Sequence, residues 1–414
     1  MFPFNQYFRQ EVERKKRNGE YRYFLEIERD TRLKPYIQYR TADGISGTAV
    51  NWCSNDYLGL SQQEAVIGAA LETLSRSGVG SGGTRNLSGT SVHHRMLEKL
   101  IADWHQKEAA LVFNSAYLAN YTTIEAIGRS IPDLILISDE RNHASMIEGI
   151  RSTHCRKVIF RHNDTDHLEV ILASLPKDQP KMVLFESVYS INGSVAPVKD
   201  ILKLCRRYKA LSYVDEVHAV GLYGGQGEGM LASKGCQHKA DIINGTMAKA
   251  VGSLGGYIAA SSHIVDFVRS FGKPFIFSTS LPPAICSAAF HAIKTIRQDQ
   301  QLRNRFFENV QKLRSSLGHA AIPFHPNRSH ITTIPVGDAH KVRAIAEQLL
   351  LDDGIYIQPV NAPTVRTGEE CLRIIITPAH SEDNIHDLVN ALSPHFGHKV
   401  VSKKNQMTPI ALET

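Results

Sequence analysis

LSYVDEVHAVG (Leu211–Gly221) and ADIINGTMAKAVG (Ala240–Gly252) decide the fold of this chain. Each opens on a short apolar run and closes on groups able to do chemistry. These are Asp215 and His218 in the first stretch, and Thr246 and Lys249 in the second. A short run that is apolar throughout, rather than alternating, reads as a strand buried on both faces. Further runs lie outward on both sides: KMVLFES (Lys181–Ser187), DLILIS (Asp133–Ser138) and AALVF (Ala109–Phe113) upstream, GYIAAS (Gly256–Ser261) downstream. Amphipathic stretches between them supply crossover helices. The pattern predicts an α/β protein whose large domain holds a mostly parallel, doubly wound sheet.

The pattern covers residues 49–290 and breaks around Pro282-Pro283. Before it, residues 1–48 mix charge and aromatics at helical spacing and read as an N-terminal arm. After it, CSAAFHAIKTIRQDQQLRNRFFENVQKLRSSL reads as a long helical region, followed by ITTIPVG, a helix over HKVRAIAEQLLLDDG, IYIQPV and LRIIITP. Residues 291–399 are therefore expected to form a smaller C-terminal α+β domain with an antiparallel sheet. Residues 400–414 form a polar tail.

Composition excludes several classes. The formal charge of +6 over 414 residues is scattered, too weak for nucleic acid but compatible with anionic small molecules. The six cysteines are dispersed with no CxxC pair, which excludes a disulfide scaffold or zinc ribbon. The 19 histidines form no HExxH, so no metal is expected. No apolar run approaches the roughly 20 residues of a membrane span, and the N-terminus lacks a signal-peptide core. A cytoplasmic location is expected.

In an open parallel sheet, ligands gather beyond the C-terminal strand ends. Ser138, Ser190, Asp215 with His218, and Thr246 with Lys249 follow four separate apolar runs. Lys249 sits among small apolar residues, where desolvation would lower its pKa and favour a Schiff base. Asp215 lies one βαβ step upstream. A carboxylate near such a lysine points to pyridoxal phosphate, whose ring nitrogen needs an anionic partner. FNSAYLANYTTIEAI offers a helix start for the phosphate at Asn114, Ser115 and Ala116. His143 could stack on the ring. GVGSGGTRN (Gly78–Asn86) is no dinucleotide fingerprint: its spacing is G-x-G-x-G-G, and no clear strand precedes it.

The strings NDYLGL (Asn55–Leu60), GSGGTRNLSGT (Gly80–Thr90), HASMIEGIR (His143–Arg151), VDEVHAVGLYG (Val214–Gly224), INGTMAKAVG (Ile243–Gly252) and FSTSLPP (Phe277–Pro283) resemble the α-oxoamine synthase family of fold-type I pyridoxal-phosphate enzymes. The likeness runs from about Arg22 to His380. Within the family, GSGGTRNLSGT, FNSAYLAN, NHASMIEGIR, DIINGT and IQPVNAPTV are most like the branch that makes 5-aminolevulinate.

The resemblance implies that Lys249 carries the Schiff base, Asp215 pairs with the pyridinium, His218 meets the ring hydroxyl and His143 stacks on the ring. Ser115, Ala116 and Tyr117 would meet the phosphate, and Ser190 and Thr246 would also touch the cofactor. Ser278 and Thr279 would reach the phosphate from the neighbouring subunit of a homodimer with sites at the interface. For substrates, Arg373 with Asn55 would hold the glycine carboxylate and Arg22 the succinyl carboxylate. Ser138 and Lys157 would contact acyl-CoA. Thr84 and Asn86 would line the acyl pocket, and Thr364 would lie on a loop over the site. The β-branched Thr84 would also crowd any amino acid larger than glycine.

The implied reaction is a decarboxylative condensation of glycine with succinyl-CoA, giving 5-aminolevulinate, CoA and CO2. The rivals are 2-amino-3-ketobutyrate CoA ligase, 8-amino-7-oxononanoate synthase and acyl-chain autoinducer synthases, with other acyl groups or amino acids. Arg22 favours a dicarboxylic acyl group. A cofactor-free regulatory homologue is disfavoured by the presence of Lys249, Asp215 and His218.

Overall fold

The computed structural model describes residues 2–396; the polar tail at 400–414 lies outside the described residues. The chain divides into two compact units. One takes in residues up to Asn55, Ile191–Gly193 and the segment from Arg305 on, and the other is Asp56–Ser190 with Ser194–Asn304.

The second unit carries a seven-stranded sheet: β1 (Ala109–Phe113), β2 (Ile135–Asp139), β3 (Arg156–Phe160), β4 (Lys181–Glu186), β5 (Leu211–Asp215), β6 (Ile242–Thr246) and β7 (Gly256–Ala260). The spatial order is β1-β7-β6-β5-β4-β2-β3. Pairs β2–β3, β2–β4, β4–β5 and β5–β6 are parallel, while β7 runs antiparallel to both β6 and β1. The α/β, mostly parallel architecture is thus the expected one, with a reversed strand inside it.

Alternate strand residues serve opposite faces. Ile135, Ile137, Val183, Phe185, Val214 and Ile243 pack on one side with Leu168, Leu172, Ile201 and Leu202 of the helices Thr165–Ser174 and Val198–Arg207. Leu136, Met182, Leu184, Tyr213, Ile242 and Ile258 pack on the other with Ala119, Ile124 and Ile127 of the helix Ala116–Ser130. Both faces are covered, which is why the strands carry no polar alternation.

In the first unit the helix Phe4–Arg17 buries no residue. The strands Glu26–Arg29, Tyr36–Arg40 and Ser46–Asn51 follow, joined by Ile355–Tyr356 in a four-stranded sheet. Ile37, Tyr39 and Ala49 form its small core with Leu25, Leu350 and Tyr356. A three-stranded antiparallel sheet joins Thr332–Pro335, Cys371–Ile374 and Pro359–Val360. The IYIQPV stretch is therefore split between two sheets. The long helical region after Pro282 is two helices, Pro283–Gln298 and Gln300–His319. They part at Asp299, whose carboxylate accepts from the Leu302 amide at 2.8 Å.

Candidate active site

The C-terminal ends of β2, β4, β5 and β6 and the start of the helix Ala116–Ser130 set the site in the second unit. Asp215 closes β5 and is 3% exposed. Its Oδ2 accepts from Asn120 Nδ2 at 2.7 Å and its Oδ1 from the Val217 amide at 2.8 Å.

Lys249 is half-buried on the turn after β6. The turn is closed by backbone bonds from Gly252 to Lys249 (2.7 Å), Met247 to Gly255 (2.9 Å) and Ser253 to Met247 (2.7 Å). Gly252 has φ +69°, and a Cβ there would meet the Ser61 amide nitrogen at 2.3 Å, so the lysine turn requires glycine. Thr246 is buried. Its hydroxyl donates to Gly255 O at 3.2 Å and accepts from the Ala248 amide at 3.1 Å, tying the same turn together.

His143 caps the helix Ala144–Arg151 and is open to solvent on one side. Its pKa is lowered, chiefly by desolvation; the Asp215 carboxylate opposes this and the Lys249 ammonium adds to it. One imidazole thus feels both the lysine and the aspartate. The Tyr117 ring stands edge-on to it, centroids 6.3 Å apart.

Ser115 caps the helix Ala116–Ser130 by accepting from the Leu118 amide at 3.0 Å. The amides of Ala116 and Tyr117 belong to its first turn and have no intrahelical acceptor. A Cβ on Gly256 would meet the Ala116 nitrogen at 2.2 Å, so glycine lets β7 press against this helix start. His218 is buried, with Nδ1 2.8 Å from Tyr57 Oη.

Ser190 is half-buried beyond β4. Nearby, His162 bridges Asp139 Oδ1 (2.9 Å) and Ser194 Oγ (2.7 Å). The 277–281 segment is bound to the Gly-rich loop. Thr84 and Thr279 form a β-bridge, the Ser280 hydroxyl donates to Gly89 O at 2.6 Å, and Asn114 Nδ2 donates to Thr279 O at 2.7 Å. Ser278 donates to Pro274 O at 2.5 Å. Thr84 donates to Asn86 Oδ1 at 2.7 Å. Ser138 is buried and accepts from Asn142 at 2.9 Å, whereas Lys157 is exposed on edge strand β3.

The first unit brings together two further pairs. Arg373 Nη1 donates to Asn55 Oδ1 at 3.1 Å. Arg22 Nη2 donates to Thr364 Oγ1 at 2.8 Å.

Sequence reading missed several groups here. Asn120, Tyr57 and Glu186 contact or flank the expected residues. Arg85 makes a buried ion pair with Glu98 at 2.8 Å, anchoring the Gly-rich loop. Tyr57 lies inside the quoted NDYLGL string, the one signal that could have found it. Glu186 closes β4 fully buried, and burial first, then the Asp215 charge, pushes its carboxyl well above the usual range.

Glu216 is raised to about 7, mainly by burial. The amides of Met230 (2.6 Å) and Leu231 (3.0 Å) donate to its carboxylate and pull the other way. The folded state therefore holds this proton more tightly than the unfolded chain. The associated stability is present in full below the ordinary carboxyl range and is lost as pH rises through about 7. Glu216→Gln should flatten that decline, which is on the order of 3 kcal/mol across the interval. Urea midpoints at pH 5, 6, 7 and 8 would measure it; parallel slopes in both proteins would refute the assignment.

The donor set fits pyridoxal phosphate: a buried carboxylate for a ring nitrogen, an amine on a glycine-dependent turn, an imidazole beside both, and first-turn amides for a phosphate. Among the described residues, no cluster of three or more His, Cys, Asp or Glu could hold a metal ion, and no helix is long and apolar enough to cross a membrane.

Residues 48–392 match the family Aminotransferase class I and II. The chain is similar to the 5-aminolevulinate synthase of Rhodobacter capsulatus, 46% identical over 376 residues, covering 90% of this chain and 92% of that one. It is similar to the 5-aminolevulinate synthase of Bradyrhizobium diazoefficiens, 45% identical over 391 residues, covering 94% and 95%. A serine palmitoyltransferase from S. paucimobilis, solved with bound PLP and myriocin, superposes with a TM-score of 0.84 at 26% identity, covering 94% of this chain and 96% of that one.

Proposed function

The chain belongs to the aminotransferase class I and II family, in its 5-aminolevulinate synthase branch, and we propose that it condenses glycine with succinyl-CoA, releasing 5-aminolevulinate, CoA and CO2. The product would serve tetrapyrrole and heme synthesis or a cyclised five-carbon unit of secondary metabolism. The observation that carries the reading is that Asp215 ends one strand, Lys249 follows the strand paired with it, and hydrogen bonds through Asn120 and Ser145 link Asp215 to His143, so an amine, an anion and an imidazole gather at one end of the sheet.

Bound pyridoxal phosphate supplies the electron sink for a carbanion at the glycine α carbon. Asp215 would hold its ring nitrogen, the helix start at Ser115, Ala116 and Tyr117 its phosphate, and His218, Ser190 and Thr246 its remaining polar groups. Lys249 Nζ takes the α proton and later returns one. His143 would stack on the ring and donate to the oxygen that gains charge as carbon dioxide leaves. Arg373, steadied by Asn55, grips the glycine carboxylate through a planar fork. Thr84, beside Asn86, leaves room for glycine and crowds a larger amino acid. Ser138 and Lys157 serve the acyl-CoA.

Arg22 holds the succinyl carboxylate, with Thr364 beside it. Arg22→Ala is expected to raise KM for succinyl-CoA by roughly 10- to 100-fold, leave KM for glycine near its wild-type value, and narrow the preference over acetyl-CoA. Steady-state kinetics with both thioesters would check this.

The protein acts as a cytoplasmic homodimer in which Ser278 and Thr279 reach the partner's phosphate site. Exposed Val79, Leu87 and Phe277, each at least 77% accessible, support this reading, since large apolar side chains on the site's own loops call for a cover. The deciding experiment assays glycine and alanine against succinyl-, acetyl- and long-chain acyl-CoA by thiol release. Turnover of glycine with succinyl-CoA above every other pair is expected; a preference for another pair overturns the reading.

A further inference from the structure

Behind the reacting groups runs a path of buried hydrogen bonds. Asn120, in the second turn of the helix Ala116–Ser130, is 1% exposed. Its Nδ2 donates to Asp215 Oδ2 at 2.7 Å and to Ser145 Oγ at 2.9 Å. Its Oδ1 accepts from Tyr213 Oη at 2.8 Å. Tyr213 is fully buried, and its hydroxyl is held well above the ordinary phenol range, first by burial and then by Asp215, so it stays a donor. Both amide hydrogens and the amide oxygen are engaged, which leaves the carboxamide a single orientation.

That orientation propagates. Ser145 Oγ accepts from Asn120, so its own hydrogen is available to His143 Nδ1, 2.7 Å away. The Ser145 backbone amide also donates to Nδ1, at 3.2 Å. Nδ1 therefore faces two donors and carries no proton. The ring hydrogen sits on Nε2, the nitrogen left to meet a substrate oxygen.

We propose that Asn120 is a positioning residue that uses one carboxamide for two purposes: it fixes the carboxylate of Asp215, and through Ser145 it fixes the tautomer and tilt of His143. The anion and the imidazole are set together. The proposal deepens the functional reading above and rests on it for its catalytic consequence. The path itself is a property of the protein alone.

The test uses Asn120→Ala and Ser145→Ala in the full-length chain. The first readout is the dissociation constant of pyridoxal phosphate from an absorbance titration. The second is the 15N spectrum of histidine-labelled protein without cofactor, with His143 assigned by its own substitution. Wild type should show a protonated Nε2 and an Nδ1 shifted by an accepted hydrogen bond.

Asn120→Ala should weaken pyridoxal phosphate binding by about 10- to 100-fold and also move the Nδ1 resonance toward that of an unbonded nitrogen. Ser145→Ala, a milder change that keeps the backbone, should move Nδ1 alone and leave the affinity within about threefold of wild type. An unchanged Nδ1 in Ser145→Ala overturns the proposal. So does an equal affinity loss in both variants, which would mean a packing effect. A wild-type protein that binds no pyridoxal phosphate would defeat the functional reading instead, while the cofactor-free spectra still test the path.

Discussion

A Lys249→Ala protein is expected to lose about four orders of magnitude in kcat while folding normally. Removing a positioned proton-transfer group costs up to roughly 10⁴-fold, and in the proposed reaction the same amine would also provide the covalent attachment. The fold should not notice. The bonds that close the turn at Lys249 are backbone bonds, from Gly252 to Lys249 and from Ser253 to Met247. Fully buried Met247, Ala250 and Val251 pin the turn on both sides of the lysine. Single-turnover kinetics, a visible spectrum before and after borohydride, and a melting curve form the test. The wild-type band should be abolished by borohydride and absent from the variant, with Tm changed by no more than a few degrees. Turnover above about a hundredth of wild type would remove Lys249 from the role assigned to it.

Such a residue was legible in sequence because it follows a strand that announces itself. β1, β2, β4, β5 and β7 each carry a short apolar run between polar or turn residues, so their existence follows from the sequence pattern. The reversed direction of β7 does not, since a strand buried on both faces reads the same in either sense. β3 was not seen. It lies at the sheet edge, where Arg156, Lys157 and Ile159 are exposed, and an edge strand is free to look like a loop.

The polar groups of the interior were hidden for a related reason. Asn120 in a helix and Glu186 at a strand end look like ordinary surface polarity until the backbone buries them. Their burial depends on which helix faces which strand, information that is long-range. Arg22 and Thr364 show the limit from the other side. They are 342 positions apart in the chain and were named only because their surrounding strings resemble a known family. The contact between them comes from the folded first unit.

Replacing Asp215 should be damaging by a different route, through cofactor affinity, and the neutral isostere should fare little better than alanine. Both carboxylate oxygens accept, Oδ2 from Asn120 and Oδ1 from the Val217 amide. Asn120 cannot turn its amide to help, because Tyr213 and Ser145 fix it. In Asp215→Asn, either orientation of the new amide sets an N–H against a donor. One buried donor is left unpaired at a cost of about 1–3 kcal/mol, in addition to the lost charge. Removal of one member of a buried charge pair costs about 3–5 kcal/mol, so cofactor affinity in Asp215→Ala should fall on the order of 10²- to 10³-fold. The charge has a second reach. Asp215 is among the causes that raise both Glu186 and Glu216. With it gone, both carboxyls ionise more readily, and the stability lost as pH rises through about 7 should shrink. A titration of cofactor affinity with urea midpoints at pH 5 and 8 separates the two effects. An Asp215→Asn protein with wild-type affinity and an unchanged pH slope would mean that the anion at the end of β5 is a structural cap and no more.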